Sequence, residues 1–386
     1  MSAITSNAFA LTEPQQELVQ QVRNVASGEL YALAEAGTPG RVNRGLLTAM
    51  GRHGLLARLF GAESSGRATA AMDLCLLRET LATVSTEAET ALALQGLGSY
   101  PFLLSGSTAV IDRWRPRVVS GDAVAAFALS EPGAGSDAGA LALRAEPDGD
   151  GWRLSGEKTW ISNAPEADVY TVFARTTPDA KARGVTAFAV AGDSAGPSGE
   201  HLDMVSPHPI GRLVFDGVRV DSADVLGEVD VGFKVAMRTL DLFRPSVGAF
   251  AVGMAQAALD AAVAHTTTRK AFGGVLSDQQ AVSHKLADMA TRLEASRLLV
   301  YAAASAYDAG ADPAEITRRS AMAKLDATET AQFVVDSAVQ LVGARALQRG
   351  HLLEHLYREV RAPRIYEGAS EVQRTIIGRS LTRRHH

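Results

Sequence analysis

The hydrophobic period of the chain changes twice, and those changes limit its fold more than any other feature. From about residue 11 to residue 122, apolar residues recur at helical spacing. Thr12 is placed to cap the first helix, with Pro14 in its first turn. Pro39-Gly40 and residues 61–66 read as loops. Near Gly121 the pattern shortens. Apolar runs at 123–129, 141–145, 152–154, 169–174, 185–190 and 212–215 have strand length. Asp148-Gly149-Asp150-Gly151, between two of them, is a hairpin signal. This compact β unit ends near Gly227. From Phe233 onward helical spacing returns, rich in alanine, over stretches that fit four or five long helices and predict a bundle. The order is therefore α, β, α.

A chain of 386 residues can bury a sizeable core. Its net charge of −5 argues against recruitment of nucleic acid by a global basic field. Cys75 is the one cysteine, so an intrachain disulfide framework is impossible, which fits a reducing compartment. Its apolar neighbours at 72–77 mark it as a packing thiol rather than a nucleophile. Met1-Ser2-Ala3-Ile4-Thr5-Ser6 lacks the basic-then-apolar pattern of a secretory signal, and a cytoplasmic location is expected. The stretch 246–264 is strongly apolar, but Gln256, Asp260, Gly248 and Gly253 make it a core helix with close neighbours rather than a membrane span. The closing Arg383-Arg384-His385-His386 reads either as native or as a tag remnant.

Gly133-Ala134-Gly135-Ser136-Asp137-Ala138 loosely matches a dinucleotide fingerprint, which needs a helix next to hold a pyrophosphate. A hairpin is expected there instead, so the glycines read as a turn whose backbone approaches a ligand, with Ser136 and Asp137 as polar contacts. His351-Leu352-Leu353-Glu354-His355 has the inverted zinc-peptidase spacing but no third ligand signature, and no metal is expected. The chain has no Walker A loop, Gly-x-Ser-x-Gly elbow or Cys-x-x-Cys pair. Tyr366-Glu367-Gly368-Ala369-Ser370 has two readings: an ordinary helix cap, or a carboxylate in a partly apolar pocket whose raised pKa suits a general base.

Four segments, in order, together resemble the acyl-CoA dehydrogenase family. They are Leu129-Ser130-Glu131-Pro132-Gly133-Ala134-Gly135-Ser136-Asp137; Gly156-Glu157-Lys158-Thr159-Trp160-Ile161-Ser162-Asn163; Arg269-Lys270-Ala271-Phe272-Gly273 with Gln280 and Leu286-Ala287-Asp288-Met289; and Arg364-Ile365-Tyr366-Glu367-Gly368-Ala369-Ser370-Glu371-Val372-Gln373. The resemblance runs from about Leu11 to Leu381. It implies an α+β multidomain fold: an N-terminal helical domain over 1–122, a central β-barrel-like domain over 123–230 and a C-terminal four-helix bundle over 231–386. It also implies non-covalent FAD, a homodimer or homotetramer and a place in fatty acid metabolism. The implied partners are an acyl-CoA or acyl-carrier-protein substrate and an electron-transfer flavoprotein.

By position, the resemblance puts Phe127, Leu129 and Ser130 along the flavin edge, and Trp160, Ile161 and Ser162 over a flavin face. Arg269, Phe272 and Gln280 fall at the pyrophosphate region. Gln340, Gly343 and Ala344 fall where a neighbouring subunit's FAD is reached. Gly135, Ser136, Ala369, Ser370 and Glu371 complete the cofactor set. Ser136, Asp241, Arg244 and Gly368 match positions near the thioester and its pantetheine arm. Glu367 matches the base that takes the α-proton while a hydride leaves the β-carbon. The alternative family position for the base, on an earlier helix, is occupied by Phe243, which cannot act as one.

Three departures mark a divergent branch, in which a carrier-protein-bound substrate is one reading. The paired glycines after Gln340 become Gly343-Ala344, the loop after Phe60 lacks the usual proline and paired glycines, and Ser206-Pro207-His208-Pro209-Ile210-Gly211 leaves the common pattern. The competing functions are an acyl-thioester oxidase that uses oxygen and a flavin-binding relative without turnover. Glu367 and the negative net charge speak against the latter.

Overall fold

The computed structural model describes residues 10–60, 70–193 and 195–382. The expected loop at 61–66, the divergent segment after Phe60, the first six residues and the basic C-terminal end lie outside the described residues.

Helices come first: α1 (Glu13–Val25), α2 (Tyr31–Glu35), α3 (Arg44–Arg52), α4 (Ala71–Ala82), α5 (Thr86–Ser105) and α6 (Thr108–Ser120). Thr12 begins α1 as expected, with its N–H donated to the Gln15 side chain at 2.9 Å. Strands follow: β1 (Ala125–Ala128), β2 (Arg144–Asp148), β3 (Gly151–Ser162), β4 (Val169–Arg175), β5 (Val185–Ala191), β6 (Ser198–His201) and β7 (Ile210–Asp221). They form one curled sheet in the order β1-β4-β2-β3-β7-β6, with β5 paired to β4. The hairpin at 148–151 is present, Asp148 facing Gly151 across a loop whose first residue, Gly149, has φ 64°.

Two strands differ from expectation. The 152–154 strand continues to Ser162, because β3 pairs with β7 along nearly all of its length. β6 carries no apolar signal, since Ser198-Gly199-Glu200-His201 is a polar edge strand held only by β7.

The last block is α7 (Gly232–Thr268), the short hairpin β8 (Lys270–Ala271) and β9 (Gly274–Val275), α8 (Gln280–Asp308), α9 (Pro313–Val342), α10 (Leu352–Glu359) and α11 (Ser370–Thr382). Three of these helices are long and two are short, which corrects the expected four or five long ones. The chain between Gly343 and Ser370 turns too often to sustain one.

α7 has the length and apolarity of a membrane span, but 72% of its apolar window is buried inside the protein. Its glycines serve close packing. A Cβ at Gly253 would meet the Glu79 carbonyl oxygen at 2.4 Å, so α4 and α7 cross there with no room for a side chain. Cys75 is fully buried in that interface, and burial pushes its thiol far up, out of nucleophilic range.

Candidate active site

The end of β1 and the middle of β3 are joined by a buried charge. Lys158 donates from Nζ to the Leu129 carbonyl at 2.9 Å and to Glu131 Oε1 at 2.8 Å. Thr159 N–H donates to the Ser130 carbonyl at 3.1 Å. Glu131 also accepts the N–H groups of Ala142 (2.5 Å) and Leu143 (3.0 Å). Those two amides are therefore bound to a carboxylate rather than to a strand, which is why the expected strand at 141–145 starts only at Arg144. Burial pulls the Lys158 amine down to about 8, against the opposing attraction of Glu131.

The register of β3 breaks between Lys158 and Ile161. Trp160 sits in this bulge with φ 56° and is 51% exposed. A bulky residue held in left-handed backbone is a strained conformation of the kind found at ligand sites. Ile161 is 1% exposed, its side chain turned into the core. Of the trio expected over a flavin face, only Trp160 and Ser162 therefore present side chains, and Ile161 can offer only backbone. Asn163 closes the bulge by donating to the Ala125 carbonyl at 2.9 Å. Phe127 packs on Phe173 with ring centroids 4.9 Å apart. Gly135, Ser136 and Asp137 lie in an exposed loop followed by a single 3-10 turn and then β2, so no helix N-terminus stands where a dinucleotide fingerprint needs one.

Glu367 is no helix cap. It has φ 51°, Gly368 follows with φ 92°, and α11 begins only at Ser370. The turn is held by its carbonyls. Arg244 Nε donates to the Glu367 carbonyl at 3.3 Å, Lys324 Nζ to the Gly368 carbonyl at 2.7 Å, and Gln373 to both, at 3.1 and 2.8 Å. Ser370 donates to Glu329 at 2.6 Å, and Glu329 also pairs with Arg364 at 2.9 Å. Asp241 accepts from Thr317 at 2.8 Å and faces Arg244 at 3.4 Å. Among the described residues Glu367 Oε2 is buried without a hydrogen-bond partner. Burial raises the Glu367 pKa, and the charges of Arg78, Lys324 and Arg244 oppose that rise. Phe243 is buried against Tyr100, ring centroids 6.0 Å apart, and supplies no polar group.

The remaining expected residues form a second cluster at the other end of the bundle. Phe272 and Gly273 are the two loop residues between β8 and β9, with φ 53° and 83°, the pair of positive values that a tight hairpin turn demands. Phe272 is 88% exposed at this tip. Arg269, Gln280, Gln340 and Ala344 are exposed too, whereas Glu371, exposed as well, stays by the Glu367 turn at the start of α11. His265, near the end of α7, feels the charges of both Arg269 and Arg345, so the α7–α8 connection and the turn after α9 lie side by side. Arg269 follows Arg244 by 25 positions along α7, about 37 Å at roughly 1.5 Å per residue. The Glu367 turn, bonded to Arg244, and the hairpin that bears Phe272 are thus far apart in one chain.

A 660 Å³ cavity between α8 and α9, walled by Arg292, Phe333, Glu329 and Arg364, and a 260 Å³ cavity walled by Asn163, Thr90 and His208, flank this machinery. The zinc-like pair has other duties: His351 Nδ1 caps α10 by accepting Leu353 N–H at 3.1 Å, and His355 Nε2 meets Thr86 Oγ1 at 2.6 Å. No cluster of three metal-ligating side chains occurs among the described residues.

Arg78, Glu89, Lys324 and Glu329 have no place in the sequence reading, and Gln373 appears there only as the end of a motif, with no role. A usable signal exists for two of them: Arg78 follows Leu76-Leu77, and Lys324 sits in Ala321-Met322-Ala323-Lys324-Leu325, charges at core positions that need partners.

The chain matches family models over most of its length: "Acyl-CoA dehydrogenase, N-terminal domain" at residues 12–122, "middle domain" at 126–218 and "C-terminal domain" at 230–382. It is 37% identical over 380 residues to the probable acyl-CoA dehydrogenase FadE25 of Mycobacterium tuberculosis, covering 97% of each chain. Its structure superposes on butyryl-CoA dehydrogenase from Megasphaera elsdenii with a TM-score of 0.90 at 32% identity, covering 97% and 100% of the two chains. A glutaryl-CoA dehydrogenase from Mycobacterium smegmatis in complex with FADH2 gives a TM-score of 0.87 at 25% identity, covering 96% and 95%.

Proposed function

The chain belongs to the acyl-CoA dehydrogenase family, and from that premise we propose that Glu367 is the base that removes the α-proton of an acyl thioester during α,β-desaturation. The family makes the chain an FAD-dependent oxidoreductase acting on CH–CH groups. The residues present fit that cofactor. Two exposed aromatic side chains in left-handed backbone, Trp160 and Phe272, offer flat apolar faces for aromatic rings. Exposed Arg269, beside Phe272, suits a pyrophosphate. When bound, FAD supplies the acceptor for the hydride that leaves the β-carbon.

The chain's own residues do the rest. Trp160 and Ser162 would orient the isoalloxazine, and Ser130 would border it. Asp241, Arg244 and the Glu367-Gly368 turn would align the thioester, so that proton removal occurs within a fixed geometry. Among the described residues the Glu367 N–H has no backbone acceptor, so it is free to hold the developing enolate oxygen.

The single observation that carries the reading is the unpartnered, buried Oε2 of Glu367. A carboxylate desolvated in this way is a stronger base than one in water, and among the described residues no donor occupies that oxygen. CoA and carrier-protein thioesters share this chemistry. An electron-transfer flavoprotein is the acceptor we propose, in a cytoplasmic homo-oligomer.

The test is anaerobic stopped-flow reduction of the holoenzyme by a panel of acyl thioesters in CoA and carrier-protein form. Wild type should bleach its flavin. Glu367→Gln should keep FAD but lose reduction by roughly 10²–10⁴-fold, the usual loss for a general base. Near-normal reduction in that variant would place the base elsewhere, and peroxide formation in air would point to an oxidase.

A further inference from the structure

Arg78 and Glu89 form an ion pair buried beside the site, 3% and 0% exposed. Arg78 Nε donates to Glu89 Oε1. Arg78 Nη1 donates to Ser246 Oγ at 2.7 Å, and that hydroxyl donates onward to the Phe243 carbonyl at 2.7 Å. The guanidinium lies 5.9 Å from the Phe250 ring centroid. The second Glu89 oxygen takes the Thr90 hydroxyl at 3.3 Å. Such a pair adds little net stability, because desolvation offsets its Coulomb attraction. Its position explains it better. Ser246, which anchors Arg78, lies two residues from Arg244, which clamps the Glu367 carbonyl. Arg78 is thus bonded to Glu89, and among the described residues no hydrogen bond joins it to Glu367, on which it acts through its charge.

We propose that Arg78 is a positioning residue for Glu367: tethered by Glu89 and Ser246, it keeps the base ionised without donating a hydrogen bond to it. The inference rests on Glu367 as the base. A base must carry its charge before it can take a proton, yet a donor on its lone pair blocks the approach of the carbon acid. Charge held at a distance satisfies both demands. The other groups around the turn are consistent with this division. Arg244 and Lys324 direct their hydrogen bonds at backbone carbonyls. Asp241 on α7 and Glu329 on α9 are bound to Thr317, Ser370 and Arg364, and Glu371 on α11 points to solvent. Behind Glu89 stand His208 and Glu359, whose own pair leaves the Glu89–Arg78 bond intact.

The experiment compares pH profiles of anaerobic flavin reduction. The substrate is whichever member of a straight- and branched-chain acyl-CoA panel reduces the wild-type holoenzyme fastest. Arg78→Met with Glu89→Leu removes both charges and leaves neither unpaired. It should stay folded and yellow, with the acid limb of the profile moved up by about one pH unit or more, the scale of an adjacent opposite charge. Glu89→Gln frees Arg78 from its tether and should move the limb down, with the plateau rate lowered as the guanidinium closes on Glu367. The same opposite displacements are expected in the carboxyl infrared band of Glu367, isolated by subtracting Glu367→Gln. A merely structural pair would lower rates without moving either limb, and an unmoved limb in Glu89→Gln alone overturns the proposal should the double variant fail to fold. If Glu367→Gln itself reduces flavin normally, the base assignment has failed instead.

Discussion

At the scale of single residues, the site is built from charges placed where apolar side chains would otherwise sit. Lys158 and Glu131 carry no proposed chemistry, yet they fix the ends of two motifs that lie 27 residues apart. The Lys158 ammonium satisfies a carbonyl and a carboxylate at once, and the carboxylate satisfies two amides that have left the sheet. Lys158→Met should therefore leave Glu131 buried without its cation, at a cost of about 3–5 kcal/mol. Thermal melts should show the lost stability, and the flavin content per chain should fall with it, because Ser130 and Trp160 are anchored through this pair. A variant with normal melting and full flavin would show that the Ser130 and Trp160 segments hold their places unaided.

At the scale of elements, the divergent segment 206–211 works as a clasp. Ser206 donates to the Arg358 carbonyl at 3.3 Å, and Pro207 accepts Gly40 N–H at 3.1 Å. His208 meets Glu359 at 2.5 Å. The loop before β7 thereby joins α10 to the connection between α2 and α3. Burial opposes the charge on His208, but Glu359, reinforced by Glu87 and Glu89, outweighs it and holds the imidazole above its usual range. Glu359 is held below the usual carboxylate range: burial would raise it, but the His208 charge and hydrogen bond prevail. The signs give a window. The His208 contribution is complete below the unfolded histidine value of about 6.5 and fades as pH rises through the raised folded value. The Glu359 contribution is complete above the unfolded value near ~4.3 and is lost as pH falls through the depressed folded value. His208→Gln should lower the melting temperature most in mildly acidic solution, between those limits, and progressively less in alkaline solution. Parallel melting curves for wild type and variant across that range would refute the clasp.

For the whole molecule, the separation of the Glu367 turn from the Phe272 hairpin poses a geometric question. About 37 Å of helix separates Arg244 from Arg269, and Phe272 stands almost fully exposed at its hairpin tip. Both facts fit a site completed by a second copy, in which the Phe272 hairpin of one chain covers the cofactor held at the Glu367 site of another. A closed dimer, or a dimer of such dimers, satisfies this with identical contacts. Sedimentation of the flavin-loaded protein should show a dimer or tetramer, and Phe272→Ala should weaken flavin retention. A monomer that keeps full flavin would contradict the arrangement.

What the sequence determined by itself was the order of the layers and the identity of the motif residues. Periodicity reports which side of an element is buried, and the α, β, α order follows from that alone. The motif around Glu367 was legible as a candidate base, but its residues also allowed a helix cap, because backbone handedness and desolvation do not appear in a string of letters. Only the tertiary structure decided between them, through the left-handed turn at Glu367 and its unpartnered oxygen. Two charges around that turn were invisible for a physical reason. Arg78 and Lys324 come from helices more than 200 residues apart in sequence, and long-range packing rather than local pattern brings their charges to bear on Glu367. The same reason hid β6 and moved the start of β2: an edge strand needs no apolar face, and a buried carboxylate can claim amides that the local sequence offers to a sheet.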